Sequence, residues 1–462
     1  MLEYLAYEKS FGEVHKMKKE ITTGVIWQQI LLFFFPILLG TFFQQLYNTV
    51  DAVLVGQFVG KEALSAVSGA PAMIVSLIVG FFTGLASGAT VSISQYYGSG
   101  DMKSVSAATH TAILFSVIGA VFLTLIGYFC SSWFLELCRV PDDIFEESLI
   151  YMQIFFLGLL GTFIYNIGAG ILRAIGDSKR PFYFLIIRCV LNIVLDILFL
   201  LPFHMGVAGA AYATIISQAV SALLIIVCLI RETGPCKLEL PKLRMERFHL
   251  IRMLKIGIPA GIQSVTYALS NLIIQASIND FGTDTIAAWG TYGKMDGIFW
   301  MTINSFGIAL PTFVGQNYGA EKFDRVRKGI KDTMVMATLT TVGICSLLFI
   351  NAEFLFSLFT KDDAVIDIGA RMVHFLMPTY IIYIYIELLS GGLRAMGDTF
   401  VPMLLSCGGV CGIRIFWPLV ICPLYPTVEM LELNFPVSWI VTLLSFIIYY
   451  FKKRKNLMPD LT

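Results

Sequence analysis

The stretch Gly170-Ile171-Leu172-Arg173-Ala174-Ile175-Gly176-Asp177 returns 221 residues later as Gly391-Gly392-Leu393-Arg394-Ala395-Met396-Gly397-Asp398. The same spacing carries Gln95, Tyr97 and Gly98 onto Gln316, Tyr318 and Gly319, Val105 onto Val326 and Pro181 onto Pro402. Farther upstream, Gly60, Leu64-Ser65-Ala66 and Met73 meet Gly282, Ile286-Ala287-Ala288 and Met295 at a spacing of 222, so one residue has been gained or lost between. The chain is one unit written twice. In a strongly apolar protein this is the arrangement of many secondary transporters, in which two bundles enclose a site and move against each other.

Composition fixes the phase. Hydrophobic residues make up 57% of the 462 and charged residues 14%, against about 45–50% and 25% in soluble domains. Apolar stretches recur, each long enough to cross roughly 30 Å of hydrocarbon. Twelve are read: 26–52, 63–88, 107–130, 148–171, 182–201, 207–230, 256–279, 285–311, 333–357, 371–393, 400–422 and 436–451. The expected fold is an all-α membrane protein of twelve transmembrane helices in two six-helix lobes. Six is even, so both halves enter from the same side and form a parallel pseudo-two-fold repeat. The expected organisation is a tail at 1–24, a first lobe at 25–231, a linker at 232–252, a second lobe at 253–451 and a tail at 452–462.

Charge is sorted by loop, although the formal net charge is zero. One side carries Lys9, Lys16, Lys18 and Lys19 before the first span, Lys103, Lys179 and Arg180 in later breaks, and Lys452, Lys453, Arg454 and Lys455 at the end. The linker (Arg231, Lys237, Lys242, Arg244, Arg247) and the break at Lys322, Arg325, Arg327 and Lys328 join them. The opposite breaks are acidic, with Asp142, Asp143, Glu146 and Glu147, then Asp362, Asp363 and Asp367. Lysine and arginine stay inside, so both termini are expected in the cytoplasm. Residues 1–24 lack the apolar core and small-residue site of a cleavable signal. Cys407 and Cys411 stand at i, i+4 without a nearby His or second Cys pair, and read as small buried hydrophobes rather than metal ligands.

Chemistry in such a chain is sought in polar groups that lipid penalises. A charge at mid-bilayer costs at least about 2.5–3.5 kcal/mol, so it needs a partner, water or a task. Asp51 closes the first span after Gln44, Gln45 and Asn48. Arg188, Asn192 and Asp196 stand at i, i+4, i+8 on the fifth, hence on one helix stripe. Both spans run outward, and both carboxylates fall in their outward portions. Two carboxylates among amide and hydroxyl oxygens make either a hard-cation site or a proton-sharing pair. The bland alternative is a structural carboxylate bonded to neighbouring helices. The second half does not copy this stripe, because Asp196 maps to Trp417 and Asn192 to Ile413. It carries instead Lys294 and Asp296 in the eighth span, Glu387 in the tenth and Arg414 in the eleventh. These four, like Arg188, are candidate substrate contacts or lobe-packing charges. Cation binding is therefore expected in the first half, with the substrate cavity there or between the lobes.

The segment Phe42-Phe43-Gln44-Gln45-Leu46-Tyr47-Asn48-Thr49-Val50-Asp51 resembles the first helix of the multidrug and toxic compound extrusion (MATE) family. The two Leu-Arg-Ala-x-Gly-Asp segments and the Gln-x-Tyr-Gly breaks at 95–98 and 316–319 extend the resemblance to nearly the whole chain past residue 24. The resemblance implies export of cationic, amphiphilic compounds in exchange for Na⁺ or H⁺, through alternating inward- and outward-open states. It implies a bacterial-type plasma membrane, drug-like small-molecule substrates, no nucleic-acid partner, and function as a monomer. Family members with a cation site in the first lobe use an Asp on helix one and Asn-x-x-x-Asp on helix five, matched here by Asp51, Asn192 and Asp196. Thr214 resembles the helix-six Thr of such sites, Tyr151 and Asn166 the helix-four Tyr and Asn, and Gln44 a helix-one neighbour. With Na⁺ as coupling ion, Asp51, Asn192, Asp196 and Thr214 would be its ligands. Another branch places a Glu on helix seven and an Asp on helix ten. Here helix seven has no carboxylate after Pro259, and helix ten offers only Glu387.

Pro36 and Pro259 each remove a hydrogen bond from the first helix of their half and allow a bend; Pro36 is the expected hinge. A flippase for lipid-linked precursors, on the same superfamily plan, is the alternative reading, and it would want more cationic residues in the cavity. No intramembrane enzyme motif occurs, and no phosphate-cradling Gly-x-x-x-x-Gly-Lys. Coupling is accordingly expected from an ion gradient, with no cofactor.

Overall fold

The structure is a computed structural model that describes residues 21–459, so Lys9, Lys16, Lys18 and Lys19 lie outside the described residues. It is all-helical. The membrane-length helices are α1 (Ile26–Phe58), α2 (Lys61–Gly98), α3 (Met102–Leu137), α4 (Asp142–Leu157 and Leu159–Ala174), α5 (Lys179–Leu200) and α6 (Gly206–Ile230). The second half supplies α7 (Arg247–Asn279), α8 (Thr283–Gly319), α9 (Phe323–Ile350), α10 (Asp363–Ala395), α11 (Phe400–Leu424) and α12 (Val428–Leu457). Ten of these are apolar enough to span on their own, and the two parts of α4 form an eleventh span bent by 45°. The remaining helix, α7, is as long as α1 but opens with charge.

Local chemistry accounts for the irregularities. The bend in α4 falls at Gly158, where a Cβ would lie 2.3 Å from Ile215 Cγ2. In α11, Ser406–Gly412 and Trp417–Ile421 are π-helical, the widened winding that often marks functional helices. Pro418 has no N–H to close an α-turn there, and Gly409 lets the backbone approach Thr442 of α12.

The repeated motif ends α4 and α10 in the same way. Gly176 and Gly397 sit at φ +95° and +94°, where glycine carries no Cβ penalty. Asp177 N–H donates to Leu172 O and Gly176 N–H to Arg173 O; Asp398 N–H donates to Leu393 O and Gly397 N–H to Arg394 O. Both are Schellman ends.

Small residues let the halves cross. Gly84 packs on the backbone of Gly261, and Gly88 on Met253 and Gly257. At the end bearing the basic breaks the contact is closer: a Cβ on Gly98 would meet Gln316 O at 1.9 Å, and one on Gly319 would meet Gln95 O at 2.0 Å. Toward the other end, Gly290, Gly293 and Gly297 of α8 face open space. The two lobes are pressed together at the end that bears the basic breaks.

Both ends of the described chain lie at the closed end. Arg325 donates to Gly24 O and Ile21 O, and Arg327 to Met458 O. The start of α1 packs with the second half, Phe34 stacking on Phe306 at 4.0 Å, while its later part joins the first. The outer surface is apolar, with Phe122, Phe129, Leu339, Ile350 and Ile448 exposed, as a lipid-facing surface requires.

Candidate functional site

Each half holds a cavity. The first, about 580 Å³, is lined by Pro36, Gln44, Tyr47, Asn48, Asp51, Tyr151, Thr162, Asn166, Arg173, Arg188, Thr214 and Gln218. The structure thus gathers onto one wall residues from α1, α4, α5 and α6 that lie up to 182 positions apart, from Pro36 to Gln218. Asn192 and Asp196 lie behind that wall, 1% and 0% exposed.

The polar side chains divide into satisfied and unsatisfied groups. Arg188 Nη2 donates to Tyr47 OH at 3.1 Å, with its guanidinium 5.6 Å from the centre of that ring. Thr162 Oγ1 donates to Gln218 Oε1 at 2.6 Å, and Tyr165 OH to Pro181 O at 3.0 Å. Both oxygens of Asp196, both amide atoms of Asn192 and Oδ1 of Asp51 are buried without a protein partner. Leaving a buried carboxylate charged and unpaired is strongly unfavourable. Two such carboxylates in one half call for a proton or a cation. Their oxygens, the Asn192 amide oxygen and the Thr214 hydroxyl are a donor set suited to a hard cation.

The second cavity, about 610 Å³, is lined in part by Gln263, Tyr267, Asn271, Trp289, Tyr292, Asp296, Trp300, Tyr380, Tyr383, Glu387, Arg394, Arg414 and Phe435. Asp296 Oδ2 accepts from Trp300 Nε1 and Tyr380 OH, each at 2.8 Å. Glu387 Oε2 accepts from Tyr383 OH at 3.4 Å. Arg414, 2% exposed, donates to Asn271 Oδ1 at 3.3 Å and lies over Phe435 at 4.5 Å and Trp439 at 5.5 Å. Lys294 stands apart from Asp296, 5.5 Å over the Phe359 ring. Among the described residues, Arg188, Lys294, Asp296, Glu387 and Arg414 enter no salt bridge.

Sequence reading passed over Tyr47, Thr162 and Gln218 in the first cavity and nearly all of the aromatic wall in the second. A signal was present for the latter. Trp289, Asp296 and Trp300 recur along one face of α8, and Tyr380, Tyr383 and Glu387 along one face of α10.

Comparison with known proteins agrees with this architecture. The MatE family model matches residues 36–198 and 259–418. "Probable multidrug resistance protein YoeA" of Bacillus subtilis (strain 168) is 28% identical over 434 residues, covering 92% of this chain and 93% of its own. "Multidrug export protein MepA" of Staphylococcus saprophyticus is 22% identical over 412 residues, covering 86% of this chain and 90% of its own. A solved structure described as the outward-facing conformation of a multidrug resistance MATE family transporter superposes with a TM-score of 0.87 at 19% identity, over 95% of this chain and 98% of that one. The twelve-helix double repeat and the paired cavities belong to a multi-pass membrane transporter rather than an enzyme, and the chain is a member of the MATE family.

Proposed function

We propose that the chain is a secondary active exporter of cationic, amphiphilic compounds, driven by inward movement of Na⁺ or H⁺ bound in the first half. The observation that carries this reading is the fully buried Asp196, both oxygens unpartnered, with the unpartnered Asn192 one turn away on the same helix and an unpartnered oxygen on Asp51 in the same half. A cation or proton neutralises that pair, and Asn192, Thr214, Tyr151, Asn166 and Gln44 complete its surroundings. Such a ligand drives the swing only if it binds one state of the two lobes better than the other. The basic breaks support a cytoplasmic location for both termini, which makes the described state outward-open in a plasma membrane. Each chain has both cavities, in keeping with a monomeric unit.

The test is dye efflux from proteoliposomes under Na⁺ and pH gradients imposed separately. Asp196→Asn removes the charge yet keeps size and hydrogen bonding. It should abolish gradient-driven export in protein that is inserted and folded, with Asp51→Asn somewhat milder. Near-normal export by Asp196→Asn protein would refute the first-half coupling site.

A further inference from the structure

A further cavity, about 470 Å³, lies at the end of the second half opposite the basic breaks, where the starts of α8 and α12 meet α10. It shares no lining residue with the cavity of about 610 Å³. On α10 the two take different faces: Arg371, on the smaller cavity, is turned about 140° from Leu376, on the larger. The most buried side chain of the smaller lining is Glu432 of α12, 3% exposed. Among the described residues, its carboxylate has no hydrogen bond and no ion pair.

A buried carboxylate needs a proton or a partner. A proton alone needs no cavity, whereas the space beside Glu432 has the size of small-molecule sites, roughly 300–1,000 Å³. Two helices line it with opposite charge. On α12, Glu432 and Glu429 are negative, and the Thr285 hydroxyl of α8 joins them as an acceptor, because it gives its proton to Phe281 O at 3.2 Å. On α10, Arg371 is positive. Its ion pair with Asp367, at 3.2 Å, is exposed and leaves most of its five N–H donors free. The lining thus suits a ligand that carries a donor-rich cation and an anion close together. A quaternary ammonium is a poor match, since aromatic faces recognise it and Phe375 is the one phenyl ring here.

The surroundings are apolar. His374, also on the lining, donates from Nε2 to Phe349 O at 3.1 Å and packs on that ring at 4.4 Å. This joins the cavity to α9, whose Leu339, Leu347 and Ile350 are exposed, as contact with acyl chains requires. The cavity therefore lies at the level where head groups meet hydrocarbon. We infer that it binds the head group of a phospholipid bearing a primary ammonium, of the phosphatidylethanolamine kind. The ammonium sits on Glu432, Glu429 and the Thr285 oxygen, and the phosphate on Arg371. The site goes beyond the exporter reading and does not depend on it, because it holds a lipid outside both larger cavities.

The test is native mass spectrometry of the full chain released from nanodiscs that hold phosphatidylethanolamine, phosphatidylcholine and phosphatidylglycerol in equal amounts. Phosphatidylethanolamine should be retained in preference to the other two. Glu432→Gln keeps the size and removes the charge, and should lower that retention at least about tenfold. Arg371→Gln should lower it less, because an exposed charge is screened by water. Glu353→Gln changes an exposed carboxylate at the same end and should leave retention within about twofold of the parent. Equal retention of phosphatidylcholine or phosphatidylglycerol overturns the site, as does Glu432→Gln protein that holds phosphatidylethanolamine like the parent. If water-soluble glycerophosphoethanolamine displaces the lipid at equal concentration, the ligand is a soluble head group and the lipid assignment falls. The exporter reading is judged apart from this, by the efflux of Asp196→Asn protein.

Discussion

Replacing Gln95 and Gln316 together by leucine should tip the transporter toward its inward-open state. These residues are 221 positions apart, as are Ala174 and Ala395, and their bonds cross over between the halves. Gln95 Nε2 donates to Ala395 O at 2.7 Å, and Gln316 Nε2 to Ala174 O at 2.6 Å. Each carbonyl belongs to the last turn of a helix, where it has no partner within the helix; each half thus caps the end of the other. When the lobes part at this end, water can satisfy the same groups, so the bonds favour only the closed arrangement. A net value of about 0.5–1.5 kcal/mol per bond gives roughly 1–3 kcal/mol for the pair, a shift of about 5–150-fold in the ratio of states. The two are not equal. Gln95 Oε1 also accepts from Arg252 Nη2 at 2.6 Å, a charge-assisted bond with the guanidinium 4.5 Å over the Tyr96 ring. Gln95→Leu should therefore act more strongly than Gln316→Leu. Hydrogen–deuterium exchange by mass spectrometry in nanodiscs reads the outcome at residues 172–177 and 393–398, which should exchange faster in the double variant than in either single one. Unchanged exchange in the double variant, or a larger effect from Gln316→Leu than from Gln95→Leu, would refute the latch.

Gly319→Ala places a methyl 2.0 Å from Gln95 O and should cut dye efflux severely at equal membrane levels. Gly100→Ala meets no atom and bears only the left-handed backbone strain of φ +76°, about 1–2 kcal/mol, so its efflux should stay near the parent value. Pro36→Ala restores a donor inside α1 and should slow turnover more than it weakens cation binding; equal effects on both, measured by efflux rate and by cation titration, would count against a hinge at this point. Glu387→Gln, which keeps an acceptor for Tyr383, should alter the relative efflux of different dyes and leave the response to an imposed cation gradient intact.

Much of the architecture is written locally. The span lengths follow from the thickness of hydrocarbon, the breaks from Gly, Pro and charge, and the parallel halves from a register of identical residues. All of these are properties of short segments, and they emerge as α1–α12 with the two motif-bearing ends alike in backbone and bonding. The stripe Arg188, Asn192, Asp196 was equally legible, because a helix puts i, i+4 and i+8 on one face whatever surrounds it. Sequence identity could pair Gln95 with Gln316, yet not reveal that each caps the other half's helix, since that contact joins residues 142 and 300 positions apart. Nor could it tell that Asp296 and Glu387 escape ion pairing while Arg414 lies under two rings, because which charges meet depends on how α7, α8, α10, α11 and α12 converge. Periodicity determines the face a side chain takes on its own helix; only the packing of helices decides what that face meets.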